Sequence, residues 1–424
     1  MGTSLALRPS SGIRWRTLEW AGAAFALFLH TGAIFPLLFL SSGELIDSSE
    51  RSILRVVSVP AYLISLVFLA RFSKSFFQYL LHNSFLLLIL LLPFISIIWS
   101  ISTAISFRRA IAVLLSALLA YFISMRFTVR EQIMLFFSVT FTLVCLSLVS
   151  SVAASGMSFS GIDGSFRGVF THKNVLGWYS AVAMGTAVFL ILDPAYRLRG
   201  LGFVALGLSF ATLILASSIT ALFAIMCSFG MLAFLPIFRK QRSQGRLLLL
   251  IIGIQVGVLL MFSMEVFVPE ILAHFGRDAT LTGRVPLWAH VDHFIAQQPL
   301  TGYGFQAFWE RAAPTPAWVI WTDLQWDVPH AHNGIRDVLL SFGLIGGGLF
   351  FVLLARSMVR ACNLYCQYPD DGWLWLASYF TFFIALNLAE SKYFAQNDFF
   401  FIVFLTGVIS TSRIAVQRLD RRQY

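Results

Sequence analysis

The sequence predicts an all-α, polytopic integral membrane protein, and three observations predict it. Of the 424 residues, 58% are hydrophobic and only 12% are charged, against roughly 45–50% and about 25% in an average soluble domain. The mean hydropathy is +0.80. The apolar residues also come in dense, continuous runs, whereas a membrane barrel would show alternation. A helix satisfies its own backbone in lipid and needs about 20 residues to span it. The composition therefore allows on the order of twelve spans and excludes a soluble globule.

Charge and turn residues separate candidate spans near 17–40, 54–71, 84–100, 109–125, 132–153, 175–192, 200–217, 219–237, 247–267, 335–355, 373–390 and 398–414. The first run is long and lacks a small-residue cleavage site, so it reads as a span and not as a cleaved signal. With the N-terminus inside, 19 of the 30 Lys and Arg residues fall on the inner side, and Glu19, Glu131, Asp193, Asp370, Asp371 and Asp420 lie with them. The overall charge of +10 then divides into +13 inside and −3 outside. That asymmetry follows the positive-inside rule and places both termini in the cytoplasm. The basic excess is topological, so no nucleic-acid partner is expected; the lipid bilayer is the partner that the composition demands.

The chain reads as one transmembrane domain, 1–424, without an internal repeat of the kind many transporters carry. Its four cysteines, Cys145, Cys227, Cys362 and Cys366, form no outer framework, because the first two sit within apolar runs. Two outer segments stand apart. One spans residues 154–174 and contains Arg167, His172, Lys173 and Asn174. The other, 268–333, lies between spans 9 and 10 and holds five of the eight histidines and five tryptophans. A loop of that length is functional or carries short helices of its own.

The strongest local signal is His330-Ala331-His332-Asn333-Gly334-Ile335-Arg336-Asp337, running into the Gly343 and Gly346-Gly347-Gly348 region, where a loop enters a span. Imidazole can act as a general base near neutral pH; an interfacial histidine satisfied by backbone groups is the plainer alternative. The glycines would let that helix pack closely. Arg108, Arg109, Arg167, Lys173, Arg277, Arg284, Arg311 and Arg336 lie on the side that disfavours basic residues. They suit either structural pairing or an anionic substrate, since guanidinium binds phosphate oxygens bidentately. His290 and His293 could join His330 and His332 around a metal, but no neighbouring carboxylate completes a metal motif, and no cofactor is expected. Trp288, Trp309, Trp318, Trp321 and Trp326 could stack on sugars or anchor at the interface. Glu390, at the outer end of the eleventh span, is either catalytic or simply solvated.

These residues resemble the O-antigen ligase and polymerase superfamily, and within it the ExoQ-type exopolysaccharide polymerases. His332-Asn333, a nine-residue spacer and Gly343-Leu344-Ile345-Gly346 resemble its His-Asn…Gly-x-x-Gly signature. The stretch from Arg167 to Gly177 is similar to the segment before its sixth span. Leu281-Thr282-Gly283-Arg284 with Trp288 and Gly302-Tyr303-Gly304 resembles the start of its large periplasmic loop, and Asn387-Leu388-Ala389-Glu390-Ser391 adds a weaker match. The chain departs from the pattern at Ser218-Ile219-Thr220, where the family carries a basic residue in place of Ile219.

The resemblance implies a twelve-span, GT-C-like glycosyltransferase of the bacterial inner membrane, acting at the periplasmic face. It further implies a polyprenyl-diphosphate-linked oligosaccharide substrate and a chain-length-regulating co-polymerase as a partner. On this reading His332 is the base and Arg284 and Arg167 hold the diphosphate. His172, Lys173 and Asn333 position the sugars, and Asn174, Arg336 and Glu390 complete the substrate-binding set. The acceptor separates two activities, a polymerase of repeat units and a ligase to lipid A core. A non-enzymatic transporter is a third class, and it would place its ionisable residues nearer the bilayer midplane.

Overall fold

The computed structural model describes residues 13–33, 56–153, 155–160, 164–248, 283–311 and 315–420. The candidate span at 247–267, the loop residues 268–282 with Arg277, Leu281 and Thr282, and the latter part of the 17–40 run lie outside them. Every other apolar run is helical over at least part of its length. In chain order the helices are α1 (Ile13–Leu29), α2 (Val59–Arg71), α3 (Ser73–His82), α4 (Ser84–Ile95), α5 (Thr103–Arg126), α6 (Val129–Ala153), α7 (Lys173–Leu192), α8 (Arg199–Ala216) and α9 (Ile219–Lys240). They continue with α10 (Arg284–Gln297), α11 (Pro316–Leu324), α12 (Gly334–Gln367), α13 (Trp373–Leu386) and α14 (Phe399–Asp420).

The protein is an all-α, polytopic membrane protein. Among the described residues, α5, α6, α7, α8, α9 and α12 are each long and apolar enough to cross a membrane. The α2–α3 pair, bent by 98°, passes as a seventh when taken together, and shorter apolar helices cover Ser84–Trp99, Trp373–Leu386 and Phe399–Ser412. Helix α3 lies outside every expected span. Its Ser73, Lys74 and Gln78 alternate with Phe76, Tyr79 and Leu80, a one-sided pattern that lays an amphipathic helix against the bundle, where Phe76 meets Tyr121 of α5 edge-on.

Helix α7 forms the centre of the bundle. Leu176, Trp178, Tyr179, Ala181 and Leu190 bury its different sides, and it packs on α6, α8 and α9, while α9 packs on α13 and α5 on α14. Small residues set the closeness of these contacts: a side chain at Gly177 would overlap Ser218, the residue that caps α9.

Charge marks the two ends of the bundle. At one, Arg16 pairs with Glu131, Arg126 with Glu19 at 2.9 Å, and Arg130 with Asp193 at 2.7 Å. These pairs tie together α1, α5, α6 and the residue that closes α7. Glu19 is buried, and removing one partner of a buried ion pair costs about 3–5 kcal/mol. Because α5 runs away from Arg126, its Thr103 end lies at the opposite end of the bundle, and there the large loop is built.

That loop has its own helices, α10 and α11, and its own hydrophobic cluster of Leu287, Val291, Phe308, Trp309, Ile320 and Val328, which reaches Leu340 of α12. The segment 298–309 between α10 and α11, a run of turns, is laced into the bundle. Trp99 donates to the Thr301 carbonyl at 2.8 Å, Ser106 to that of Phe305 at 3.0 Å, and Arg109 to that of Gln306 at 2.8 Å.

On the other side the same segment breaks α12. Gly343 has φ 60°, ψ −162°, a conformation essentially restricted to glycine, and a Cβ there would overlap the backbone of Leu300 and Thr301. The backbone groups released by the break find partners in the loop: Tyr303 N–H donates to Leu340 O at 2.7 Å, Leu344 N–H to Pro299 O at 2.8 Å, and Ile345 N–H to Leu300 O at 3.2 Å. The first glycine of the Gly-x-x-Gly pair thus admits a loop into the helix, a stronger role than the helix–helix packing expected for it. Helix α12 also extends to Gln367, twelve residues beyond its expected end at 355.

Candidate active site

The His330–Asp337 segment is held by side chains from four directions. Asn333 caps α12, its Oδ1 accepting from the N–H groups of Ile335 and Arg336 at 3.1 Å each. Its Nδ2 donates to the Leu388 carbonyl at 3.0 Å and its own N–H to Ser391 Oγ at 3.1 Å. Asn387 closes the tie from the other side. Its carbonyl accepts from Gly334 N–H at 2.8 Å, and its Oδ1 accepts from the N–H groups of Lys392 and Tyr393 at 2.8 and 2.9 Å. Any side chain at Gly334 would overlap that Oδ1. Asp337, half-buried in the first turn, accepts from Trp309 Nε1 at 2.8 Å and from Ala331 N–H at 3.1 Å.

Three of the loop tryptophans serve the same scaffold: besides Trp309, Trp288 donates to the Ala331 carbonyl at 2.9 Å and Trp321 to that of Val328 at 2.8 Å. The outcome is a rigid turn in which His332 takes φ 50°, a left-handed conformation that histidine accepts more readily than most residues.

Around that turn lies a charged centre. Glu390, 4% exposed, stands between two partners. Arg284 Nη2 donates to its Oε1 at 3.1 Å, and His332 Nδ1 lies 3.6 Å from its Oε2. The second distance exceeds a hydrogen bond, but such contacts commonly tighten only when substrate binds. The His332 ring stacks on Trp326, centroids 5.7 Å apart and 17° from parallel. Among the described residues Arg284 gives this one side-chain hydrogen bond, so its remaining N–H donors stay available to an anion. Lys392 pairs with Asp398 at 2.8 Å and sits 4.7 Å over the Trp178 ring of α7.

His330 differs from its neighbour. Its Nδ1 accepts the His332 N–H at 3.2 Å, which places the proton of the neutral ring on Nε2. Burial, then the positive charges of His332, Lys392 and Arg284, hold it well below the ordinary imidazole value of 6.5. A histidine whose folded value lies below its unfolded one is protonated first in the unfolded chain as the pH falls. Its contribution to stability is therefore complete above about 6.5 and is lost progressively below it. The thermal unfolding midpoint of the purified protein should fall between pH 7.5 and pH 5, and His330→Asn should flatten that fall.

The sequence-nominated residues divide as follows. His332, Arg284, Glu390 and Asn333 come together. Arg336 has partners of its own: its Nε and Nη2 both meet Asp292 at 2.8 Å and its guanidinium lies 4.7 Å over Trp288, a brace from α12 to α10. Asp337, the next residue along α12, bonds to Trp309 and Ala331 instead. His172 caps α7, its Nδ1 accepting from Asn174 N–H at 3.1 Å, and Lys173 begins that helix. Arg167 is buried in the turn before it, where Phe159 and Phe166 form a bridge, and Phe170 stacks on Tyr179 at 4.9 Å. Ile219, at the family's basic position, is exposed.

His293 meets Gln297 at 2.9 Å, and no group of three or more His, Cys, Asp or Glu is arranged for a metal among the described residues. Sequence reasoning missed Asn387 as a hub and the Lys392–Asp398 pair. Asp398 was findable, because an aspartate directly before an apolar run is an N-cap signal, and it does accept from Phe401 N–H at 3.1 Å.

By sequence the chain resembles the O-antigen ligase family, whose description matches residues 204–351. It is also 28% identical over 281 residues to the exopolysaccharide production protein ExoQ of Rhizobium meliloti (strain 1021); the matched stretch spans 63% of this chain and 61% of that relative.

Proposed function

With this likeness as premise, we propose that the chain is a polymerase of polyprenyl-diphosphate-linked oligosaccharide repeat units, working by glycosyl transfer at the periplasmic face of a twelve-span inner-membrane protein with both termini cytoplasmic. The observation that carries the reading is the Arg284–Glu390–His332 arrangement, a guanidinium and an imidazole on the two oxygens of one buried carboxylate.

An acceptor hydroxyl oxygen attacks the anomeric carbon of the donor, and the bond from that carbon to the diphosphate oxygen breaks with its electron pair passing to the diphosphate. His332 takes the hydroxyl proton. Its Nδ1 is on the Glu390 side, leaving Nε2 as the proton acceptor, and Glu390 favours the imidazolium that forms. Arg284 and Arg167 meet the charge that grows on the diphosphate. On this reading His172, Lys173 and Asn174, at the start of α7, hold the donor sugar; Asn333 holds the turn, and Arg336 braces it. In-line displacement inverts the anomeric centre.

The test is incubation of the purified protein with a polyprenyl-diphosphate oligosaccharide, with and without lipid A core. A ladder of lengthened polyprenyl-linked products supports a polymerase. Product found only on lipid A core replaces it with a ligase, and no release of polyprenyl diphosphate overturns glycosyl transfer altogether. Removing one preorganised charge donor costs about 10²–10³ in rate, so Arg284→Ala should lower kcat by that factor. If Arg284→Lys recovers full activity, a point charge suffices and bidentate phosphate binding is refuted.

A further inference from the structure

Beside the His332 centre, on the far side of the His330 ring, lies a cavity of about 320 Å³, within the roughly 300–1,000 Å³ range of small-ligand sites. Residues 305–309 of the segment after α10, the first turns of α12 and the 391–398 segment line it. Three features describe what it would accept.

The first is aromatic lining. Phe305, Phe308, Trp309, Phe342 and Phe394 border it, surfaces suited to the C–H face of a sugar ring. The second is charge balance. Arg109 and Lys392 are matched by Asp337 and Asp398, and each is already engaged: Lys392 with Asp398, Arg109 with the Gln306 carbonyl, and Asp337 with Trp309 and Ala331. The lining is formally neutral, two cations against two carboxylates, and so offers an acidic ligand no net attraction. The third is unspent hydrogen bonding. Gln396 Oε1 is buried with no partner among the described residues, an arrangement that calls for a donor. His330, with Nδ1 occupied by the His332 N–H, keeps its Nε2 proton to donate.

We propose that this cavity is the subsite for one uncharged pyranose of the acceptor glycan, held by aromatic faces, by Gln396 as hydrogen-bond acceptor and by His330 as donor. The His330 and His332 ring centroids are 4.2 Å apart, so a sugar seated there lies one ring away from the base. His330 is then a positioning residue. The inference rests on the glycosyl-transfer reading for the word acceptor, but the binding itself can be measured without turnover.

The test uses the full-length purified protein and saturation-transfer NMR with two probes, a neutral hexose tetrasaccharide and the same tetrasaccharide ending in a uronic acid. The neutral probe should bind and the acidic one at least tenfold more weakly. Ala395→Trp, which fills the cavity, should weaken the neutral probe at least tenfold, and Gln396→Ala, a milder change that keeps the fold, several-fold. In turnover assays Gln396→Ala should raise the acceptor KM while the donor KM stays within twofold. Absence of neutral-probe binding, equal binding of both probes, or unchanged binding by Gln396→Ala overturns the proposal. Binding that meets these expectations in a protein that never releases polyprenyl diphosphate would sink the enzymatic reading and leave the sugar site standing.

Discussion

His332→Ala should lower transfer from a polyprenyl-diphosphate donor by about 10²–10⁴-fold, the usual worth of a general base, while the protein stays folded in the membrane. The expectation of an intact fold comes from what holds the turn. Asn333, Asn387, Asp337 and three tryptophan N–H groups fix the backbone around residue 332, and none of those bonds uses the His332 ring. Position 332 is left-handed, φ 50°, so His332→Asn is the sharper variant, because asparagine accepts that conformation readily and supplies no base. Both variants should lose transfer equally. A His332→Asn protein that transfers within tenfold of wild type would remove His332 from the chemistry. Glu390→Gln keeps the shape of the carboxylate but not its charge, and should fall between wild type and the His332 variants.

Gly343→Ala should be strongly destabilising. The backbone at φ 60°, ψ −162° costs about 1–3 kcal/mol for a residue with a side chain. The new Cβ would in addition fall on the Leu300–Thr301 peptide, which is backbone and has no rotamer through which to yield. The alternatives are a straightened α12 or an expelled loop, and either breaks the bonds from Tyr303, Leu344 and Ile345 that join them. A lowered unfolding midpoint in detergent and faster proteolytic nicking between residues 298 and 333 are the expected readouts. An unchanged midpoint with an unchanged cleavage pattern would show that the break in α12 is not structurally required.

Much of this was legible in the sequence because bilayer physics leaves a coarse signature. Continuous apolar runs became helices, and charge placed Arg16, Arg126 and Arg130 at the end opposite Arg284 and Lys392. His332, Asn333, Arg284 and Glu390 were nominated from motif likeness and do converge. The residues whose roles sequence reading missed share a property: their meaning lies in a partner far along the chain. Asn387 matters because Gly334 approaches it, Lys392 because Asp398 and Trp178 surround it, and the loop tryptophans because their N–H groups reach the carbonyls of one turn. Both readings offered for those tryptophans, sugar stacking and interface anchoring, looked outward, whereas Trp288, Trp309 and Trp321 are turned inward. Gly343 was read as a small residue for close packing because composition records size and not ψ.

The interruption of α12 also bears on biogenesis. A transmembrane helix ordinarily enters the bilayer with its backbone already self-satisfied, so that insertion and later packing are separable steps. This one is self-sufficient only on either side of Gly343, and the Leu340 carbonyl and the Leu344 and Ile345 N–H groups acquire partners when residues 299–303 arrive. The segment bearing His332 is therefore completed by a loop that precedes it in the chain.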